Sequence, residues 1–143
     1  MSERNKAVVR ELTEEIWNGR KLERIPDFYA ADYVVDYRPY VPIRTGRDAI
    51  RETVERAFAT FPDYHEEIRE LIAEGEKVVV CLTISGTQTG QWGRLAPTGI
   101  RAEFNEVAIL ESRDGKIVHK RGYADNLTAL QQLGCTVIPP RAS

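Results

Sequence analysis

The period of the hydrophobic pattern changes from helical to strand-like at the segment "FPD", and this change limits the folds that the chain can adopt. After this segment, apolar and polar residues alternate over residues 64–73, 77–90, 99–112 and 116–125. The turn-forming sequences "EGEK", "GQWGRLAPTG" and "SRDGK" separate these stretches. The pattern predicts four β-strands arranged as an antiparallel meander.

Helical periodicity dominates the chain before that point and returns at its end. The pattern predicts helices over residues 2–17, 22–30, 45–61 and 126–134. In the third helix, Thr45 and Asp48 are spaced as a capping-box-like pair, and Gly134 suits the C-terminal end of the last helix. A short strand is predicted over residues 32–37, because the prolines of "RPYVP" cannot continue it. Helices followed by strands predict an α+β domain, in which the helices cover one face of a curved sheet and leave a pocket for a ligand.

Length and composition exclude several classes of protein. The 143 residues suit one domain, and a net charge of -2 gives no reason to expect nucleic acid or an anionic membrane as a partner. The N-terminus lacks the apolar segment of a secretory signal, and no apolar run approaches membrane-spanning length, so we expect a cytoplasmic protein. Cys81 and Cys135 are too few and too differently placed for a disulfide framework, and neither His65 nor His119 lies in a metal-ligand pattern. We therefore expect reduced thiols and no metal site.

Five segments, read in order, resemble one family of enzymes. They are "FPDYHEEI", "IAEGEKVVV", "GTQTGQWGRLAPTG", "RDGKIV" and "DNLTALQQLG". In order and spacing they are similar to the SnoaL-like polyketide cyclases, which share a cone-shaped α+β fold with nuclear transport factor 2 and ketosteroid isomerase. The resemblance implies a single domain over residues 1–143, with a core at about 5–135 and a flexible tail at 136–143.

Members of this family close rings in aromatic polyketides by aldol condensation without a metal or organic cofactor, using an aspartate as acid and base. The resemblance assigns that role to Asp125, at the end of the strand after "DGKI". The chain departs from the family at three points. Gln88 replaces the histidine of "GTH", Tyr37 lies near the position of another histidine, and Arg121 replaces the aromatic residue of "EHW". These departures leave other chemistries in the same fold open.

Strand alternation puts four polar side chains on one face of the last predicted strand: His119, Arg121, Tyr123 and Asp125. In the family's fold this face looks into the cone, so we expect it to line a ligand cavity. There Asp125 would act as general acid and base, Arg121 would stabilise developing negative charge, and Tyr123 would donate a hydrogen bond. Alternatively, Asp125 caps the final helix, Arg121 forms a surface ion pair and Tyr123 packs. A slip of one residue in register would turn all four side chains away.

Further candidates for substrate binding are aromatic walls and scattered polar groups. The aromatic candidates are Trp17, Tyr33, Tyr37, Phe58 and Trp92, and the polar ones are Asp36, Gln88, Glu106 and His119. Glu106 falls on the apolar face of its strand if the strand is regular, so either it serves the pocket or a bulge turns it outward.

The expected function is closure of a ring in a polyketide or similar polycarbonyl intermediate, within antibiotic biosynthesis. One alternative is another reaction in the same fold, such as a hydroxylation-type step, epoxide opening, pyran formation or isomerisation. The other alternative is a non-catalytic domain that binds a small ligand. A homodimer is expected, because the outer sheet face needs cover and members of the family often pair.

Overall fold

The computed structural model describes residues 2–141, in which helices pack on one mixed sheet. The α-helices are α1 (Ser2–Leu12), α2 (Ile25–Phe28), α3 (Arg47–Thr60) and α4 (Asn126–Gln132). A π-helical segment, Thr13–Asn18, continues α1, and a 3₁₀ turn, Leu22–Arg24, precedes α2. The predicted α+β class is confirmed.

Six strands form the sheet within the described part of the chain. They are β1 (Tyr29–Asp36), β2 (Arg44–Thr45), β3 (His65–Glu74), β4 (Lys77–Thr87), β5 (Arg101–Arg113) and β6 (Lys116–Ala124). Their order across the sheet is β2-β1-β6-β5-β4-β3. The predicted antiparallel meander is confirmed from β3 to β6. The sequence pattern did not predict that β1 joins the sheet parallel to β6.

The helices bury their apolar sides against one face of this curved sheet. Helix α1 contributes Val9 and Leu12, and α3 contributes Ile50 and Val54. Alternate residues of β4 and β5 face them: Val78, Val80, Leu82, Phe104, Ala108 and Leu110. Each of the larger side chains, valine, leucine, isoleucine or phenylalanine, stabilises the fold by roughly 1.5–3 kcal/mol when fully buried.

Two local predictions, one about the start of α3 and one about the end of α2, are wrong. Thr45 does not cap α3, because it pairs with Val34 in β2 and Gly46 precedes the helix without a side-chain cap. The predicted second helix ends at Phe28 rather than at Ala30, because β1 begins with the extended backbone of Tyr29.

The long connection between β4 and β5 folds around the buried side chain of Gln88. Its amide nitrogen donates hydrogen bonds to the carbonyl oxygens of Gly90 (2.9 Å) and Ala96 (3.2 Å). Its amide oxygen accepts from the backbone nitrogen (2.9 Å) and the hydroxyl (2.6 Å) of Thr98. Gln88 is fully buried and turned into this loop, so the prediction that it faces the ligand pocket is wrong.

The C-terminal end of the fold follows the predicted pattern. Gly134 follows α4 with a φ of +98°, and its N–H donates to the carbonyl of Gln131. Residues 136–141 of the predicted tail contain no helix or strand, and residues 1, 142 and 143 lie outside the described residues. Between residues 2 and 141, none of the helices combines the length and apolar character required to cross a membrane. Cys81 and Cys135 are both free.

Candidate active site

Strand β6 does not keep the phase that strict alternation predicts. Ile117 is fully buried in the core, and Ile117 and His119 pair with consecutive residues of β5. Val118 is therefore an extra residue, and such a bulge reverses the alternation for the rest of the strand. As a result Lys120 and Gly122 are buried on the inner face.

The prediction that the opposite set of side chains lines the cavity inside the cone is wrong. Arg121 and Tyr123 instead border an open depression on the outer face, beside Asp36 and Arg38. Arg121 is exposed, Tyr123 is 58% exposed, and His119 is half-buried. None of the three lines the cavity between the helices and the inner face of the sheet. Arg121 pairs across the parallel ladder with Asp36, whose carboxylate accepts two hydrogen bonds from the guanidinium of Arg38. Those bonds lower the pKa of Asp36, which is typical of a structural ion pair.

Asp125 caps α4, as the alternative interpretation of the sequence held. It is exposed, and its carboxylate accepts hydrogen bonds from the backbone nitrogen (3.1 Å) and the hydroxyl (2.6 Å) of Thr128. These bonds lower the pKa of Asp125 and stabilise its ionised form. A lowered pKa and an exposed position are the opposite of what the predicted acid and base role requires.

A cavity of about 230 Å³ lies between α3, the π-helical segment that continues α1 and the inner face of the sheet. Its walls are largely aromatic: Trp17, Tyr37, Tyr40, Phe61, Tyr64, Trp92 and Phe104. The rings of Phe61, Trp92 and Phe104 contact one another, with centroids 5.8–6.5 Å apart. Such a surface suits a flat, unsaturated ligand.

Three charged groups are buried at the inner end of this cavity. Glu66 is 3% exposed, Glu106 is 6% exposed and Lys120 is 7% exposed. The ammonium nitrogen of Lys120 lies 3.5 Å from the carboxylate of Glu106. It also lies 5.3 Å from the ring centroid of Trp17 and 5.4 Å from that of Tyr37. The aromatic contacts favour a cation at this position.

The cluster contains two carboxyl groups but only one ammonium group. This difference affects which of the carboxyl groups holds a proton near neutral pH. Burial by itself lowers the pKa of Lys120, but the carboxylate of Glu106 raises it well above its usual range, so the ammonium stays protonated. Burial raises the pKa of Glu66 from 4.5 to about 7, because loss of water destabilises the ionised carboxylate. The ammonium of Lys120 lowers this pKa and the negative charge of Glu106 raises it, so the two partly cancel. The hydroxyl of Tyr64 donates to Glu66 at 2.6 Å. Glu66 therefore exchanges a proton near neutral pH.

Tyr37 reaches this cluster because β6 carries no side chain at Gly122. The hydroxyl of Tyr37 donates to Glu106 at 3.1 Å. A Cβ atom at position 122 would lie only 2.3 Å from the ring of Tyr37. The absence of a side chain at Gly122 thus allows the phenol to lie against the strand and hold the carboxylate.

The remaining predicted residues divide between the cavity and the core. Trp17, Tyr37, Trp92 and Glu106 line the cavity as predicted, and Glu106 does so without a bulge against β4. Tyr33 and Phe58 do not line it. Tyr33 is completely buried, and its hydroxyl has no hydrogen-bond partner among the described residues. The ring of Phe58 packs against Tyr64 and the guanidinium of Arg20, and this packing turns it away from the cavity.

Lys120, Glu66 and Tyr64 line the cavity but were not predicted from the sequence. A signal for the last two was present, because Tyr64, just before β3, alternates with Glu66 and Ile68 of that strand. A glutamate thus shares a face with an aromatic and an aliphatic residue. Lys120 had no such signal, because its inward position depends on the bulge at Val118. Within residues 2–141, no group of three or more His, Cys, Asp or Glu side chains could hold a metal ion.

Comparisons with known proteins support the predicted family and fold. The sequence model of the SnoaL-like polyketide cyclase family matches residues 7–133. A protein of Jannaschia sp. CCS1, assigned as a SnoaL-like polyketide cyclase, is similar with a TM-score of 0.85 and 19% identity over 97% of this chain and 95% of that one. AclR of Streptomyces galilaeus, assigned as a hydroxylase, is similar with a TM-score of 0.83 and 25% identity over 97% of this chain and 87% of that one.

IdmH of Streptomyces antibioticus, assigned as a polyketide cyclase, is also similar, with a TM-score of 0.79 and 25% identity over 92% of this chain and 99% of that one. A comparison with curated protein sequences finds no significant match. The structural likenesses confirm the predicted cone-shaped fold.

Proposed function

Because the chain belongs to the SnoaL-like polyketide cyclase family, we propose that it closes a ring in a polyketide or similar polycarbonyl intermediate by acid and base catalysis. Glu66 is the general acid and base, and the ammonium of Lys120 stabilises the enolate. One observation carries this proposal. A buried carboxyl group with a pKa of about 7 lines the same aromatic cavity as a permanent cation.

The reaction needs one group that takes a proton and later returns it. Ionised Glu66 takes a proton from the carbon between two carbonyl groups, and the electron pair of that C–H bond moves onto a carbonyl oxygen. Lys120 donates a hydrogen bond to this oxygen, which carries the developing negative charge. A carboxyl group whose pKa lies near the working pH is effective in both directions of proton transfer.

Ring closure then uses the same two residues. The enolate carbon attacks a second carbonyl carbon, and one C–C bond forms. The resulting alkoxide takes the proton from Glu66, which returns the carboxylate to its starting state. The substrate delocalises its own charge, and Tyr37 keeps Glu106 in position beside Lys120. The role of Glu106 is thus to hold the cation in the cavity.

A second candidate function is a hydroxylation-type step in the same cavity, which the likeness to AclR favours. The mass of the product distinguishes the two reactions. Ring closure leaves the oxygen count unchanged or removes one water, whereas hydroxylation adds an oxygen atom.

The first experiment measures proton abstraction directly. We would follow deuterium uptake at the carbon between the two carbonyl groups of 2-acetyl-1-tetralone, an aromatic 1,3-diketone, by NMR in D₂O at pD near 7, relative to a protein-free blank. The expected result is protein-catalysed exchange that falls by about 10²-fold or more in Glu66→Gln and that weakens in Lys120→Met. Glu67→Gln is the matched control, because Glu67 is the next residue of β3 and is exposed. Equal exchange in Glu66→Gln and the control would contradict the role of Glu66.

A further inference from the structure

The charged side chains that line the cavity are sorted by depth. The inner end holds Glu66, Glu106 and Lys120, all buried, whereas the opening holds Arg44 and Arg56. No carboxylate lines the opening among the described residues. Both charged side chains that line the opening are therefore basic, although the chain as a whole has a net charge of -2.

Arg44 is held at this opening by α3. Its guanidinium donates a 2.5 Å hydrogen bond to the hydroxyl of Thr53, which in turn donates to the carbonyl of Ala49 at 2.8 Å. A second nitrogen of Arg44 lies 3.4 Å from Glu52, a mostly exposed residue that does not line the cavity. These contacts fix the guanidinium and leave further N–H groups free to bind a ligand.

Arg56 lies one helical turn beyond Thr53 and is exposed. Residues three apart on a helix are neighbours, with Cβ atoms about 5–6 Å apart, so Arg56 flanks the threonine that holds Arg44. Within residues 2–141, Arg56 forms neither an ion pair nor a side-chain hydrogen bond, unlike Arg51 of the same helix, which contacts Glu55 and the carbonyl of Leu22. Its guanidinium is therefore available to a ligand in the opening.

We propose that Arg44 and Arg56 bind a free carboxylate of the substrate, so that this protein acts on polyketide acids in preference to their esters. This inference rests on the proposed function, since it assigns an orientation to the substrate in the same cavity. The carboxylate lies at the opening, the flat ring system contacts Trp92 and Phe104, and the reacting carbonyl faces Lys120. A guanidinium binds the two oxygens of a carboxylate through parallel N–H groups, which an ester cannot match in charge.

The two tryptophans of the chain provide a direct measure of binding. Both Trp17 and Trp92 line the cavity, so quenching of tryptophan fluorescence reports on this site. The probes are 9,10-anthraquinone-2-carboxylate and its methyl ester, which share a flat ring system and two ketone groups and differ in charge. Each would be titrated at pH 7.5, where the acid is ionised, into the full-length protein.

The acid is expected to bind about ten-fold more tightly than the ester, because one charge-assisted hydrogen-bonded pair at a partly exposed site contributes a difference of about this size. In Arg56→Gln the two Kd values should agree within about two-fold, mainly through weaker binding of the acid. Arg51→Gln is the matched control, because it removes the same charge from the same helix away from the cavity. It should leave the ratio of the two Kd values unchanged.

The possible results separate this inference from the proposed function. Equal binding of acid and ester by the unaltered protein overturns the carboxylate site while leaving a cavity for flat aromatic ligands. An equal loss in Arg51→Gln and Arg56→Gln also overturns it, because a general effect of net charge would then explain the preference. Quenching by neither probe contradicts the aromatic substrate itself and overturns both proposals.

Discussion

The proton on Glu66 couples the stability of the fold to pH. Burial raises its pKa from 4.5 to about 7, so between these values the carboxyl is protonated in the folded protein and ionised in the unfolded chain. The folded state then binds more protons, and the free energy of unfolding falls as pH rises through this window. A rise of about 2.5 pKa units corresponds to about 3 kcal/mol, at 1.36 kcal/mol for each unit.

Glu66→Gln removes this contribution, because glutamine resembles the neutral carboxyl at every pH. We would measure urea unfolding by tryptophan fluorescence at intervals from pH 4.5 to 8 for the unaltered protein, Glu66→Gln and the exposed control Glu67→Gln. Relative to the unaltered protein, Glu66→Gln should gain stability with rising pH, by about 3 kcal/mol across the window. A difference between the two proteins that stays constant across this range would refute the reasoning.

Three further substitutions test separate parts of the structure. Gly122→Ala places a Cβ within 2.3 Å of the ring of Tyr37. We expect urea unfolding to show a free energy of unfolding lower by about 1–3 kcal/mol, and deuterium exchange to be slower. Unchanged values for both would contradict the close packing. Gln88→Leu removes the bonds that hold the loop between β4 and β5, so trypsin should cut faster after the exposed Arg94, and an unchanged rate would argue against this role. Asp125→Ala removes the cap of α4 and should lower the free energy of unfolding in urea by about 1 kcal/mol, while deuterium exchange is retained. Loss of deuterium exchange would instead indicate a catalytic role for Asp125.

The strand and helix pattern could be predicted from the sequence because each long element carries its own period. The four meander strands and the helix before them were found to within a few residues. The parallel pairing of β1 with β6 could not be found, because the period of a strand does not identify its neighbour. The two-residue strand β2 is too short to have a period. Because Thr45 belongs to this strand, it cannot cap α3 as predicted.

The site was predicted less well, and the reason lies in one strand. The face of β6 that holds Lys120, Gly122 and Ala124 carries no large hydrophobic residue, so it did not look like an inner face. Its small residues are nevertheless buried or half-buried, because the ring of Tyr37 from another segment occupies the space beside Gly122. The bulge at Val118 also shifts the strand by one residue, so the side chains predicted to face inward face outward and the opposite set faces inward.

The contact between Gly122 and Tyr37 also means that the residues at these two positions constrain each other. A phenol at position 37 and any side chain at position 122 compete for one volume, so the pocket can hold only one of them. A relative with a larger residue at the matching point of its last strand must therefore carry a smaller or displaced group in place of the phenol. Redesign of this pocket must change both positions together, since altering position 122 alone meets the ring and altering position 37 alone leaves a void beside Glu106.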